Sequence, residues 1–159
     1  MNKNELYLAM NETLESLIRD EPDGLANLSN SAALLFHSLE SINWAGFYLH
    51  KENQLVLGPF QGKPACIRIA LGKGVCGTAA QKREPLVVRD VHQFPGHIAC
   101  DEASASEIVV PIVKSGKLMG VLDLDSPVRS RFDEADKAGL QRYVETLLAY
   151  VNWDGLVDS

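Results

Sequence analysis

Apolar residues Leu6, Leu8, Met10, Leu14, Leu17 and Ile18 recur at helix-like intervals between about residues 4 and 20, and Leu25, Leu28, Ala32, Leu35 and Phe36 repeat the pattern between about 22 and 39. Two helices are therefore expected to open the chain. Pro22 suits a first helical turn, where its missing N–H costs nothing, and Asp20 is placed to cap it. The period then changes from helical to strand-like. INWAGFYLH at 42–50, a turn at Lys51-Glu52-Asn53 and residues 54–60 read as an antiparallel hairpin, followed by a short strand at 66–70. Gly72, Gly74 and Gly77 surround a short helix at roughly 75–81, and residues 85–89 form another strand. Apolar strands at 107–113 and 117–125 are joined through Ser115-Gly116, a strong hairpin signal. A last helix at about 133–152 is capped by Asp133, with Asp136 three residues on, and buries Leu140, Tyr143, Val144, Leu147, Leu148 and Val151.

This order predicts one α+β domain over residues 1–159. Helices at about 4–39 precede a central, mainly antiparallel sheet with its loops at about 42–126, and the helix at 133–152 returns to the same sheet face as the first two. The length is enough for one domain with a sizeable core, and 46% hydrophobic with 23% charged residues is ordinary globular composition. The formal net charge of −6, with Lys and Arg scattered singly, leaves no electrostatic footprint for nucleic acid or an anionic membrane. MNKNELYLAMNETLESL lacks the uninterrupted apolar core of a signal peptide, and there is no apolar run long enough for a membrane span. A cytoplasmic protein is expected.

That expectation gives weight to Cys66, Cys76 and Cys100, because cytosolic thiols are kept reduced. Redox chemistry, metal binding and inert burial are the three readings. Free cysteines are often simply buried, and the C-x9-C and C-x23-C spacings match no common zinc site, although His92 and His97 lie close to Cys100. A redox thiol needs access and surroundings that favour the thiolate. Cys76 falls at the start of the short helix, whose unpaired N–H groups favour a thiolate, and Cys100 falls in the aperiodic stretch from 90 to 106, long enough to be a lid or binding loop. Strand alternation puts Trp44, Gly46 and Tyr48 on one face, and Met119, Val121, Asp123 and Asp125 on one face of the later strand, the two carboxylates about 7 Å apart. Beside aromatics they could form a cation site. Asp125-Ser126-Pro127 is also good turn chemistry, whereas Asp123 interrupts an apolar strand and must be solvated, paired or used.

NWAGFYL at 43–49, GVLDLDS at 120–126 and FDEADKAGLQ at 132–141 resemble GAF domains, small α+β ligand-binding modules. GKGVCGTAA at 72–80, VVRDVHQFPGHIACD at 87–101 and SEIVVP at 106–111 resemble, more narrowly, the free methionine-(R)-sulfoxide reductases, and the similarity covers nearly the whole chain with all three cysteines in place. The resemblance implies a GAF-like fold and reduction of free L-methionine-(R)-sulfoxide. It implies Cys100 as the attacking thiol that becomes a sulfenic acid, Cys66 as the thiol that resolves it as a disulfide, and Cys76 as an auxiliary or alternative resolving thiol. Glu107, Asp123 and Asp125 match acids that bind the substrate ammonium and polarise or protonate the sulfoxide, and Trp44 and Tyr48 match pocket aromatics. The loop around Gly96 to Asp101 would close over a free amino acid. No metal or organic cofactor is implied, thioredoxin is the expected reductant, and the two N-terminal helices could serve a homodimer. A non-catalytic GAF sensor of a small amine or nucleotide is the alternative, but such a sensor has no need of three cysteines.

Overall fold

A computed structural model describes residues 1–97 and 103–159. Helices α1 (Lys3–Ile18) and α2 (Gly24–Ser38) lead into strands β1 (Trp44–Lys51), β2 (Gln54–Gly62) and β3 (Arg68–Ala70). Helix α3 (Gly74–Lys82), strand β4 (Leu86–Val88) and a single 3-10 turn at Val91–Gln93 follow. Strands β5 (Ser106–Lys114) and β6 (Lys117–Ser126) and helix α4 (Glu134–Tyr150) complete the fold. The sheet order is β3-β2-β1-β6-β5-β4, and every neighbouring pair is antiparallel. Both hairpin turns sit where the polar breaks predict them. Glu52 and Asn53 have φ of 54° and 60°, Ser115 and Gly116 of 50° and 83°, so each turn carries the consecutive positive φ that matches the twist of the flanking strands.

The sheet separates two cores. On one face Ala45, Phe47 and Leu49 of β1, Ile108, Val110 and Ile112 of β5, and Leu122 and Leu124 of β6 pack against α1, α2 and α4. On the other face Trp44 and Tyr48 of β1, Val109 and Val121 gather with Val75, Cys76, Ala79 and Ala80 of α3. The N- and C-terminal helices thus share one face, as the alternation implies, and the short helix takes the other.

Four local expectations are corrected. The α2 cap is Asp23, whose side chain accepts from the Ala26 N–H, not Asp20. Pro22 lies one residue before that cap, where it holds Glu21 away from helical backbone. In α1 the buried stripe is Tyr7, Met10, Leu14 and Ile18, so Leu8 (48% exposed) and Leu17 (43%) face outward, as does Leu25 of α2 (54%). Met119 does not share a face with Val121. Ile112 pairs with Gly120 but Val113 pairs with Leu118, which leaves Met119 as an extra residue in β6. This bulge turns Met119 into the helical core and Leu118 into the other.

The helical layer is held at its end by one buried carboxylate. Asp136, 1% exposed, accepts from the Tyr7 hydroxyl at 2.8 Å, from Lys3 Nζ at 2.7 Å and from the Asp133 N–H at 2.9 Å, with Arg131 at 3.4 Å. The same residue completes the capping box of α4. Burial and the neighbouring Asp136 charge push the Tyr7 hydroxyl far above its ordinary range, so it stays a donor. Removing Asp136 would leave Tyr7 without its buried partner and Arg131 without its counter-charge. Asp136→Ala is expected to lose about 3 kcal/mol, the lower part of the range for breaking a buried pair. Lys3→Met, at a site with a 37% exposed side chain, should lose less than about 1 kcal/mol. Urea denaturation of both variants checks the contrast, and equal losses would contradict it.

Candidate active site

Strand register brings the acids together. Glu107 of β5 lies opposite Asp125 of β6, which lies opposite Trp44 of β1; in the next row Val109 lies opposite Asp123, and Asp123 opposite Gly46. All these side chains stand on the α3 face except at Gly46, which has none. A Cβ there would run into Phe60 of β2, whose ring stacks on Trp44 with centroids 5.1 Å apart, so glycine is required for that approach. Asp125 remains within β6 rather than starting the turn.

Helix α3 covers this row of acids. Gly77 lets it settle on β3, since a Cβ there would collide with the Ala70 carbonyl. The helix thereby carries Cys76 inward, and its thiol donates to Glu107 Oε2 at 3.8 Å. Single ligand atoms of Cys76, Glu107 and Asp123 lie within 4.8 Å of one another, and among the described residues this is the one cluster of metal-ligand composition. It contains neither His92 nor His97, the histidines that a zinc reading would use.

The three groups are buried and resist charge. Burial, then the charge of Asp125, pushes the Asp123 carboxyl up to about 8 from its ordinary 3.8. Burial followed by Asp123 raises Glu107 well above the usual carboxylate range. Cys76 is likewise raised, by burial first and then by Asp123 and Glu107. The expected thiolate at the α3 N-terminus is therefore corrected: desolvation and two nearby acids outweigh a helix end, whose effect is about 1 kcal/mol. Burial and the two acids thus favour the Cys76 thiol over its thiolate. Asp123 Oδ1 has no hydrogen-bond partner among the described residues, although Asp123 is 5% exposed.

One pocket joins these groups. Trp44, Tyr48, Ile69 and Val75 give it apolar walls, and Cys76, Glu107, Asp123 and Asp125 form its acidic side. Lys73, His97 and Ser104 also line it and were missed as site residues in the sequence. Ser104 is small and has no periodicity to mark it; its burial and its acceptance of a hydrogen bond from Asn43 Nδ2 at 3.2 Å come from tertiary packing. His97 reads as a surface loop residue, yet burial and His92 lower its pKa, and the two rings meet edge-on at 6.4 Å. Lys73 carried a signal, its place between Gly72 and Gly74 just before α3.

The β2–β3 loop forms the remaining edge. Trp44 Nε1 donates to the Lys63 carbonyl at 3.1 Å, and the Tyr48 hydroxyl donates to the Cys66 carbonyl at 2.9 Å. Cys66 is disulfide-bonded and Cys76 is a free thiol. Cys100 and the latter part of the expected closing loop lie outside the described residues.

Comparison with known proteins places this arrangement. The GAF domain family matches residues 16–148. The free methionine-R-sulfoxide reductase of Escherichia coli (strain K12) is 52% identical over 147 residues, covering 92% of this chain and 89% of that protein. The free methionine-R-sulfoxide reductase of Saccharomyces cerevisiae is 45% identical over 155 residues, covering 92% and 86%. The solved structure of fRMsr of Staphylococcus aureus in complex with substrate matches with a TM-score of 0.88 at 53% identity, covering 92% of this chain and 95% of that one. The present chain belongs to the GAF domain family, in the branch that contains the free methionine-R-sulfoxide reductases.

Proposed function

We propose that this protein reduces free L-methionine-(R)-sulfoxide to methionine, in the cytoplasm, with thioredoxin as the source of electrons. The observation that carries the reading is a buried carboxylate, Asp123, with one oxygen unpartnered among the described residues, facing a pocket that also holds Glu107, a thiol and two aromatics. Such a pocket suits a small zwitterion with one ammonium and one apolar end. Asp125 and Asp123 would take the ammonium, and Trp44 and Tyr48 would pack on the methyl end. A sensor of small amines could use the same acids, but it has no use for a disulfide-bonded cysteine at the pocket edge and a second thiol inside.

The proposed chemistry starts with the Cys100 thiolate attacking the sulfoxide sulfur. The sulfoxide oxygen takes a proton from the acidic side of the pocket and passes to Cys100, leaving methionine reduced by two electrons and Cys100 as a sulfenic acid. Burial raises both Glu107 and Asp123, Asp123 to about 8, which favours their protonated forms and makes them candidates to supply that proton. The Cys66 thiol then attacks the sulfenic sulfur, the S–O bond breaks and water leaves, and a disulfide remains. A thioredoxin dithiol reduces the disulfide and is itself oxidised. The disulfide-bonded state of Cys66 supports its resolving role, and the raised pKa of Cys76 favours an auxiliary one. No metal or organic cofactor enters these steps. A homodimer through the N-terminal helices has its support in the outward-facing Leu8, Leu17 and Leu25.

Thioredoxin-coupled turnover is expected with the free R epimer and not with the S epimer or with a sulfoxide inside a blocked peptide. Equal rates on both epimers would sink the reading. In a single turnover without reductant, Cys100→Ser should form no methionine, whereas Cys66→Ser should form about one equivalent. Loss of that first equivalent in Cys76→Ser alone would exchange the roles given to Cys76 and Cys100.

The acidic cluster adds a dependence on pH. Between the ordinary 3.8 of Asp123 and its folded value of about 8, the unfolded chain has released the proton and the folded protein has kept it. Stability contributed at this site therefore falls as pH rises through that window. Asp123→Asn removes the penalty, so its stability relative to wild type should increase from pH 5 to pH 8. Urea unfolding of both proteins at the two pH values measures this. A difference that does not change with pH would mean that Asp123 is ionised at no cost in the folded state.

A further inference from the structure

The geometry points to Trp44 and Tyr48 as positioning residues for the redox-active Cys66, in addition to their place in the pocket wall. The loop between β2 and β3 makes two side-chain hydrogen bonds to this aromatic pair. Tyr48 donates to the carbonyl of Cys66 itself, at 2.9 Å, and Trp44 Nε1 donates to that of Lys63, three residues earlier, at 3.1 Å. Both aromatics are 2% exposed and the two bonds are partly buried, so water competes with them less than at an open surface. The rings are themselves fixed. Trp44 lies between Tyr48, at 5.9 Å and 21°, and Phe60, at 5.1 Å and 14°. The loop also begins on the indole, since a Cβ on Gly62 would come within 2.6 Å of Trp44 Cδ1.

Two β1 residues on one face, with Gly46 between them, thus hold the segment that delivers Cys66 at Lys63 and at Cys66 itself. A disulfide forms in proportion to how often its two thiols meet in the right geometry. Holding the Cys66 backbone by its own carbonyl narrows the positions open to its sulfur. The aromatic pair would therefore raise the effective concentration of the Cys66 thiol toward its partner and favour the disulfide. Because the same rings wall the pocket, occupancy of the pocket and placement of Cys66 share a support.

The inference needs only that Cys66 forms a disulfide, so it can be tested apart from the proposed substrate. Full-length wild type, Tyr48→Phe and Trp44→Phe are equilibrated in glutathione redox buffers, and the fraction of Cys66 in the disulfide is read by alkylation and mass spectrometry. Tyr48→Phe keeps the ring and removes only the donor to Cys66. Its disulfide equilibrium constant is expected to fall by up to about tenfold, the limit reached if this one hydrogen bond is made only in the disulfide state. Trp44→Phe should fall less, because its bond acts three residues away. Urea unfolding of the reduced proteins separates positioning from general loosening. A fall in the disulfide constant with the Cys76 thiol still protected from alkylation supports positioning. An unchanged constant in Tyr48→Phe overturns the inference, as does a fall accompanied by equal exposure of Cys76.

Discussion

Burying Glu107 and Asp123 beneath α3 is the constraint on which the rest of the structure depends. An ionised carboxylate placed in an apolar interior is too costly to keep, so such groups stay protonated, find donors or await a cation. Here the strands dictate the burial. Alternation in β5 and β6 sets Glu107, Asp123 and Asp125 on the face away from the three long helices, and register aligns them in adjacent rows. Glycine at position 46 leaves the row beside Asp123 without a side chain, and glycine at 77 lets α3 descend close enough to add Cys76 to the cluster. The result is a site in which burial and the charge of Asp125 disfavour ionisation of Asp123, and burial disfavours that of Glu107 and Cys76, so that a positive partner would be welcome there.

The helical layer makes this arrangement affordable in a fold of this size. Its core contains Leu14, Ile18, Leu28, Leu35, Phe47, Leu122, Leu124, Leu140 and Leu147, all fully buried, and Asp136 closes its end with several donors. The two buried acids in the opposite core therefore sit on a sheet that is fixed from behind. Separation of tasks by sheet face follows directly from the period of two in the strands. One face supplies apolar packing, and the other carries the polar chemistry.

Much of this was legible in the sequence because it follows from local chemistry. Alternation placed Trp44, Gly46 and Tyr48 together, the Ser115-Gly116 pair fixed a hairpin, and Asp133 with Asp136 announced the start of α4. Asp123 could be singled out because a carboxylate in an apolar strand demands an account. What was not legible depended on distant contacts. The bulge at Met119 breaks alternation without any local signal in composition, and it reversed the expected face of that residue. His97 and Ser104 join the pocket through folding of a segment that has no periodicity. The state of Cys76 shows the same limit from another side: a helix start is visible in the sequence, but the two acids brought opposite it are not.

The electrostatics of Cys76 also constrain how three thiols can divide the proposed reaction. A thiol attacks as its thiolate, and the fraction present falls tenfold for each unit by which the pKa lies above the ambient pH. Cys76 is buried beside acidic groups, burial and acids both raising its pKa, and donates its hydrogen to Glu107. It is poorly suited to begin the attack on a sulfoxide. The same hydrogen bond makes it well suited to hold Glu107 in place, and Glu107 in turn faces Asp125 across the β5–β6 ladder. A thiol and an acid whose protonated forms burial favours keep a proton close to the pocket without adding a charge that burial would penalise. On this argument Cys76 serves the proposed chemistry through the acid it touches, which agrees with the proposal that another cysteine is the nucleophile.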